Sequence, residues 1–403
     1  MIVVEGGENM VLLRLLVAKK IAPGVTRRKN IGRNDSSSNI FPAVTRPNLR
    51  LIEIITMNLI IIRTGGFIMN MESIRVELAA LTQKKIAKVE SLAGGFQNHV
   101  FRFLMDNHWY IARLTPIKKR SKELIEAELS FMEELRENNI QTVDVISING
   151  ERVNELIIDN KLIYITVFQY IENQELDVSD LSIWNTNFFL DWGKTIGQMH
   201  RISETSLKRF VRPVWIEDDG KVNTIPSLLV DNKHWLKEIY KDLLKKLATF
   251  PRTNCNFGLI HNDLHQGNFF VDSKQLILFD FEDCAYNWYV QDLATSIYHG
   301  LWTGGAYHPK WDNFPQEFLN YFLKGYMSVR ELTENDLDQM ELFLQMRELF
   351  LFLLFKKTWD FQHLEEWQSE KLLEMEKNLR HNRIPYESEL NIWRSETFNS
   401  HHS

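Results

Sequence analysis

The sequence predicts an α+β protein of two lobes, a small lobe built on an antiparallel sheet and a larger lobe that is mostly helical. Short strand-like runs separated by turns, one of them at Asp106-Asn107, occupy residues 86–168. Helical periodicity instead dominates residues 181–250 and 291–380, and the segment 340–355 is apolar nearly all round, which predicts a helix buried in the core. With 403 residues, the chain is long enough for each lobe to bury its own core. Together these observations predict a strand-rich lobe that leads into a helical one.

The composition is that of an ordinary globular protein, with 44% hydrophobic and 25% charged residues. A net charge of −6 offers no basic face to a nucleic acid, so we expect no nucleic-acid partner. Cys255 and Cys284 lack metal-binding spacing and are expected to be reduced packing residues. The apolar runs 10–18 and 54–62 are shorter than the about 20 residues of a membrane-spanning helix, so we expect no membrane partner and a cytoplasmic location. The sequence leaves the oligomeric state open.

Residues 1–68 differ in character from the rest, because their basic and serine-rich segments follow neither helical nor strand periodicity. We interpret them as a non-native or disordered extension, with the working protein beginning near Met69 or Met71. The codons of Gly65 and Gly66 must read GGN-GGN, which permits a purine-rich ribosome-binding site before Met69. The predicted division is then a nucleotide-binding lobe over 69–170, a helical lobe with the catalytic loop and acceptor site over 171–392, and a tail over 393–403.

The first candidate site feature is the glycine pair Gly94-Gly95, which lies between the strand-like runs 86–92 and 98–105. Two glycines there would let the backbone approach a phosphate and direct amides at it. A Gly-Gly pair is also common in plain turns, so the turn interpretation stands beside the phosphate interpretation.

The second feature is a carboxylate on the apolar side of a helix. Ser121 is suited to cap a helix that runs to about Asn138. Glu128 falls within the apolar stripe of this helix, where a carboxylate needs a cationic partner to offset its desolvation. The nearest candidate in a strand is Arg113. The alternative is that Glu128 lies at the rim of the apolar face.

The third feature is the polar stretch 259–283, in which a loop leads into two short apolar runs around a turn. With residue 274 at the apex of this hairpin, Phe269 would pair with Phe279, and Asn268 would lie opposite Asp280. Asp263 lies in the loop that feeds the hairpin. An Asn and an Asp at facing strand ends suit a hard cation, and a nearby carboxylate can act as a base. This is the arrangement that phosphoryl transfer from a nucleotide requires.

A rival interpretation of the same loop is a metal-dependent hydrolase that uses His261, Asp263 and His265 as ligands. Such a site needs further histidines at useful spacing, and His299 lies on a predicted helix in no recognisable arrangement. His200 is expected to be a buried structural histidine, because it has no partner at metal-binding spacing.

The motifs of this stretch resemble those of the aminoglycoside phosphotransferase and choline-kinase-like family. The resemblance rests on His261-x-Asp263-x-x-x-x-Asn268, Asp280-Phe281-Glu282 and Asp292-Leu293-Ala294, and it extends over about residues 85–360. It implies a protein-kinase-like two-lobe fold and the use of ATP and Mg²⁺. By position it implies the following roles: Asp263 as catalytic aspartate, Asn268 and Asp280 as magnesium ligands, Arg113 with Glu128 as the phosphate-holding pair, Gly94 and Gly95 as the phosphate-covering loop, and Phe168, Gln169 and Tyr170 as the adenine-binding hinge.

The sequence departs from the protein-kinase pattern in ways that indicate the substrate. The strand cation is Arg113 rather than lysine, which keeps the charge and changes the geometry. Asp280 is followed by Phe-Glu rather than Phe-Gly, and position 265 holds His where protein kinases place a lysine. The segment between Asp280 and Asp292 is too short for an activation loop that binds a protein substrate. We therefore expect the acceptor to be a hydroxyl group of a small molecule.

The charges beside the predicted site suggest the kind of acceptor. Glu282, Asp283 and Asp292 suit a cationic compound, such as an aminoglycoside, choline or an amino alcohol, and homoserine-type, sugar or antibiotic acceptors stay open as alternatives. Alternatively, Asp292 caps a helix and Asp283 is solvated. The aromatic residues nearby either line a cation- or sugar-binding pocket or pack in the core; they are Tyr286, Trp288, Tyr289, Trp302 and Trp311. A non-catalytic nucleotide-binding module of the same fold is the remaining alternative, disfavoured because no catalytic position is degenerate.

Overall fold

The structure, a computed structural model, describes residues 71–92, 99–172, 176–218, 220–272 and 275–398. Within these ranges the predicted α+β two-lobe fold is confirmed, with a sheet in the first lobe and helices in the second. The predicted extension 1–68 and the Gly94-Gly95 loop lie outside the described residues.

The small lobe contains helix α1 (Met71–Thr82) and an antiparallel sheet. The strands are β1 (Ile86–Ser91), β2 (His99–Met105), β3 (His108–Pro116), β4 (Val145–Ile146), β5 (Val153–Ile158) and β6 (Lys161–Gln169). Their order is β1-β2-β3-β6, and both β4 and β5 pair with the outer edge of β6. The turn between β2 and β3 is formed by Asp106 and Asn107, whose φ values of 51° and 63° are those of a tight hairpin turn. The sequence predicted this turn.

Helix α2 (Lys122–Glu137) contacts both lobes. The Ser121 hydroxyl accepts a hydrogen bond from the Leu124 N–H at 3.4 Å, and Asn138 is the C-terminal cap, as predicted. Phe131 of α2 packs edge-on against Phe281, so the apolar side of the helix joins the core of the large lobe rather than that of the sheet. In this position the Glu128 side chain of α2 reaches Arg113 of β3.

The large lobe is helical apart from two short antiparallel ladders. Its helices are α3 (Thr186–Thr205), α4 (Ile225–Leu229), α5 (His234–Leu247), α6 (Val290–Tyr307), α7 (Phe314–Met327), α8 (Glu334–Thr358), α9 (Glu366–Arg380) and α10 (Glu387–Phe398). Strand β7 (Phe257–Ile260) pairs with β10 (Ala285–Trp288), and β8 (Phe269–Asp272) pairs with β9 (Gln275–Leu278). Within the described ranges, no helix has the length and apolar character needed to cross a bilayer.

The predicted register of the β8–β9 hairpin is wrong by one residue. Phe269 pairs with Leu278 rather than with Phe279. The ladder continues to the pair Asp272 and Gln275. The connection between the two strands therefore has an even number of residues, and no single residue lies at its centre. The N–H of Phe279 donates to the Asn268 carbonyl oxygen at 3.0 Å, so Asn268 lies opposite Phe279 rather than Asp280. The polar composition of the connection alone could not distinguish the two registers.

The predicted tail from residue 393 begins inside α10. Trp393 is 1% exposed and belongs to the core of the large lobe. Helix α8 is buried over most of its length, as predicted for the apolar segment 340–355.

Candidate active site

The loop that follows β7 is held by a buried carboxylate in the first turn of α6. Asp292 Oδ2 accepts from the His261 N–H at 3.1 Å, and Oδ1 accepts from the Asn262 N–H at 2.7 Å. Oδ2 also lies 3.2 Å from His200 Nε2, whose other ring nitrogen contacts the Tyr326 hydroxyl. Asp292 and His200 are fully buried, so they shape the loop backbone. The structural role predicted for His200 is confirmed.

Replacing Asp292 by asparagine should loosen this loop, because one amide oxygen cannot accept from both backbone donors in the same way. A hydrogen bond to a charged group contributes about 1.5–3 kcal/mol, and we expect Asp292→Asn to lower the free energy of unfolding by about this amount. Urea unfolding followed by circular dichroism measures the effect. Asp338→Asn, at an exposed position of α8, is the matched control and should leave the unfolding free energy nearly unchanged. Equal stability of Asp292→Asn and the wild type would contradict this role.

Asp263 lies in the same loop, with 28% of its side chain exposed. Its Oδ1 forms an ion pair with Arg347 Nη2 at 2.8 Å, and its Oδ2 lies 3.7 Å from His265 Nε2. Burial alone would raise the pKa of Asp263, but the Arg347 guanidinium and the neighbouring His265 and His261 together hold the pKa below its ordinary value. Burial lowers the pKa of His265 to about 4, so this histidine is neutral near pH 7. Asp263 is therefore an ionised carboxylate with access to the solvent.

Asn268 and Asp280 lie at the same end of the β8–β9 hairpin. Asn268 Nδ2 donates to the Asp263 carbonyl oxygen at 2.8 Å, which ties the two ends of the loop together. Asp280 comes one residue after Phe279, the residue opposite Asn268. Its backbone is left-handed, with φ 62° and ψ 52°. Non-glycine residues adopt this conformation rarely, and such positions are frequent at functional sites.

The Asp280 side chain is placed as a cation ligand would be. The residue is exposed, and among the described residues no side chain donates a hydrogen bond to its carboxylate or forms an ion pair with it. Crowding by protein atoms and then the Glu282 carboxylate raise the pKa of Asp280 well above its ordinary range, while Arg113 opposes the shift. A divalent cation would relieve this repulsion. The oxygen donors of Asn268 and Asp280 are the kind that Mg²⁺ prefers, so the two residues fit that ion.

The predicted contact between Arg113 and Glu128 is confirmed. Arg113 Nη1 donates to Glu128 Oε1 at 2.7 Å, and Nη2 donates to Oε2 at 2.9 Å. Both side chains are buried, at 8% and 1% exposure. Burial would raise the pKa of Glu128, but Arg113, with smaller contributions from Arg212 and Arg120, lowers it below its ordinary value. Phe168 of the predicted hinge lies beside the pair, with its ring centroid 5.3 Å from Arg113 Cζ.

Two arginines that the sequence analysis did not select hold the turn after the predicted metal aspartate. Arg212 Nη2 donates to the Glu282 carbonyl oxygen at 2.6 Å, and Nη1 donates to the Leu124 carbonyl oxygen at 2.9 Å. Arg120 also donates to the Glu282 carbonyl oxygen. Because Leu124 belongs to α2, these contacts tie the turn to the helix that carries Glu128.

The acidic residues expected to attract a cationic acceptor are engaged within the protein. Asp283 Oδ1 accepts from Arg120 Nη2 at 2.7 Å. Asp292 is fully buried, with both oxygens bonded to the loop backbone. Among the aromatic residues considered for a pocket, Trp288 and Tyr289 are buried in the core. The expected free acidic surface is therefore absent at Asp283 and Asp292.

The predicted hinge lies at the end of β6. The Gln169 N–H donates to the Asp144 carbonyl oxygen at 2.9 Å, and Arg102 Nη1 donates to the Tyr170 hydroxyl at 3.2 Å. Phe168 is buried. The adenine-binding role of Phe168, Gln169 and Tyr170 stays a prediction.

The histidines of the rival hydrolase interpretation are engaged in the loop. His261 is fully buried, with Nε2 2.9 Å from the Phe279 carbonyl oxygen. His265 Nδ1 accepts from the Gly267 N–H at 3.0 Å. Within the described ranges, no three His, Cys, Asp or Glu side chains are arranged to hold a metal ion. The geometry therefore gives the hydrolase interpretation no support.

The two-lobe fold, with a small antiparallel sheet and a larger helical lobe, is that of the protein-kinase-like class. A sequence model of the phosphotransferase enzyme family matches residues 88–332. The chain belongs to this family, and the resemblance stated from its motifs is confirmed.

Individual relatives agree with this assignment. Amicoumacin kinase of Bacillus subtilis (strain 168) is 28% identical over 306 residues, which cover 75% of this chain and 89% of the relative. A solved structure of an amicoumacin kinase in complex with AMP-PNP, Ca²⁺ and Ami matches with a TM-score of 0.68 at 23% identity, covering 78% of this chain and 94% of that one. A microcompartment-associated aminopropanol kinase matches with a TM-score of 0.54 at 19% identity, covering 75% and 94%. The two structures share the fold of this chain.

The cationic partner of Asp263 was not among the residues predicted from the sequence. Arg347 lies in α8, within a segment that was interpreted as apolar core. A signal was present, because a buried arginine in an otherwise apolar helix requires a partner. The same reasoning that selected Glu128 would have selected Arg347, but it would not have named Asp263 as the partner.

Proposed function

We propose that this phosphotransferase transfers the γ-phosphoryl group of ATP to a hydroxyl group of a small molecule. The observation that supports this most strongly is the Asp263 carboxylate, which is ionised, partly exposed and joined through its backbone to Asn268. In such a reaction the carboxylate orients the acceptor hydroxyl and takes its proton as the new O–P bond forms and the bond to ADP breaks.

The remaining predicted residues would serve the nucleotide. Asn268 and Asp280 would hold Mg²⁺, which neutralises charge on the phosphate oxygens when bound. The buried ion pair with Glu128 holds the Arg113 guanidinium beside Phe168, from where Arg113 would position the phosphates. The relative solved with AMP-PNP and Ca²⁺ supports the use of a nucleotide together with a divalent cation.

For the acceptor we propose a hydroxyl compound that also bears an amine. The support comes from the similarity to an aminopropanol kinase structure and to an amicoumacin kinase. Neither Asp283 nor Asp292 offers a free carboxylate to such an amine. Recognition of the amine would therefore depend on other residues around Asp263.

A panel of acceptors tests this proposal. ADP release is measured with ATP, Mg²⁺ and amicoumacin, aminopropanol, choline or an aminoglycoside, each compared with a matched compound that lacks the hydroxyl group. We expect at least one amino alcohol to raise ADP release, and EDTA to abolish the increase. Phosphorus NMR of the product should show a phosphate ester. ADP release that no hydroxyl compound stimulates would contradict the proposal.

A further inference from the structure

The catalytic-loop carboxylate has a cationic partner from a distant element. Arg347 of α8 contacts Asp263 Oδ1 through Nη2 at 2.8 Å, and its side chain is only 7% exposed. A buried arginine is costly unless it is paired, so this side chain has little freedom to leave the contact. The contact engages one carboxylate oxygen of Asp263, while the other oxygen, Oδ2, lies 3.7 Å from His265 Nε2.

The guanidinium is held in turn by a histidine of α6. His299 Nε2 accepts from Arg347 Nε at 3.0 Å and from Nη2 at 2.7 Å. Burial, and then the charge of Arg347, lower the pKa of His299 well below its ordinary range, so the ring is neutral and Nε2 is an acceptor. The His299 ring stacks on His265 at 4.6 Å, which fixes it against the catalytic loop. Arg347 is therefore hydrogen-bonded to His299 of α6 and forms an ion pair with Asp263 of the loop.

We propose that Arg347, held by His299, is a positioning residue that fixes the orientation of Asp263 so that Oδ2 faces the acceptor hydroxyl. The inference rests on the proposed function, because it assumes that Asp263 takes the proton of the acceptor. The planar fork of arginine can bond to His299 and Asp263 at the same time. A lysine has no counterpart of the Nε–H that donates to His299, and its ammonium lies at the end of a flexible chain that does not fix one orientation beside Asp263.

The first test separates positioning from stability. Arg347→Lys keeps the charge, and His299→Phe keeps a ring that can stack on His265 but removes the acceptor. With ATP, Mg²⁺ and the panel compound that the wild type phosphorylates fastest, we expect both variants to lower kcat by about 10²-fold, as small misplacements of catalytic groups do. The KM for ATP should stay within about twofold, since among the described residues neither side chain forms a hydrogen bond or ion pair with Arg113, Asn268 or Asp280. Thermal melting shows whether the variants are folded.

Arg330→Lys is the matched control. Arg330 is another buried arginine of the large lobe, and it pairs with Glu204 away from Asp263 and His299. Its replacement should lower the melting temperature at least as much as Arg347→Lys, with kcat close to that of the wild type. A proportional loss of kcat and melting temperature across all three variants would overturn the proposal.

Chemical rescue gives a readout that a purely structural role would not move. We expect guanidinium ion at millimolar concentration to restore part of the kcat of Arg347→Ala, and to have no such effect on Arg330→Ala. Absence of rescue in folded Arg347→Ala, or a wild-type kcat for Arg347→Lys, would refute the positioning role. Full turnover by Asp263→Asn would refute the proposed function. Full turnover by the Arg347 variants, with Asp263→Asn inactive, would refute only the positioning role of Arg347.

Discussion

Asp263→Asn is expected to lower kcat by about 10²–10⁴-fold, which is the contribution typical of a general base. The amide is nearly the same size as the carboxylate but cannot take a proton from the acceptor hydroxyl. The wild-type pKa of Asp263 is lowered by Arg347, so the wild-type group is ionised across neutral pH and the comparison is between a base and a non-base. ADP release with the best acceptor of the panel measures the loss.

Nucleotide affinity distinguishes this loss from general damage to the site. Isothermal titration with AMP-PNP and Mg²⁺ should give a similar Kd for Asp263→Asn and the wild type, because the proposed nucleotide contacts lie at Arg113, Asn268 and Asp280. Asp338→Asn, an exposed carboxylate of α8 that pairs with Arg394, should retain full turnover. Turnover by Asp263→Asn within about tenfold of the wild type would refute its role as the base.

Glu128→Gln should produce the largest loss of stability among single substitutions at the site. It leaves the Arg113 guanidinium buried without a compensating charge, and breaking a buried ion pair from one side costs about 3–5 kcal/mol. Urea unfolding measures the change in the free energy of unfolding. Glu133→Gln on the same helix is the matched control, because Glu133 is 55% exposed and its pair with Arg152 should contribute less than about 1 kcal/mol.

A double variant separates the structural role of this pair from its proposed role in binding. Arg113→Met combined with Glu128→Leu removes both charges and fills the space with apolar groups, an exchange that is often nearly neutral for stability. We expect the double variant to be more stable than Glu128→Gln and yet to have lost affinity for AMP-PNP. If Glu128→Gln is as stable as the wild type, the structural role of the ion pair is contradicted. If a folded double variant keeps its affinity for AMP-PNP, the proposed role of Arg113 in binding the nucleotide is contradicted.

The features that the sequence predicted correctly depend on local chemistry. The cap at Ser121 and the turn at Asp106-Asn107 follow from side chains and backbone preferences within a few residues. The Arg113–Glu128 contact was predictable because a carboxylate within an apolar helical stripe must find a cation. The arrangement of Asp263 and Asn268 in one loop follows from their short spacing.

The errors and omissions concern choices that local chemistry leaves open. Two registers of the β8–β9 hairpin suit the same polar connection, and only the completed ladder to Asp272 and Gln275 selects one. The sequence also could not tell whether Asp292 faces an acceptor or the interior, since a carboxylate in a first helical turn suits both. Because α6 packs against the loop, the Asp292 carboxylate faces the interior and accepts hydrogen bonds from the loop backbone.

The sequence by itself determined the α+β class, the loop that carries Asp263 and Asn268, and the need for a cation beside Glu128, because each follows from periodicity, spacing or the cost of burying a charge. Only the tertiary structure shows which side chains surround the Asp263 carboxylate. Arg347 and His299 come from helices distant in the sequence, and they meet at the loop only when α6 and α8 pack together. The same packing removes water from them, which keeps His299 neutral and strengthens the attraction between Arg347 and the Asp263 carboxylate.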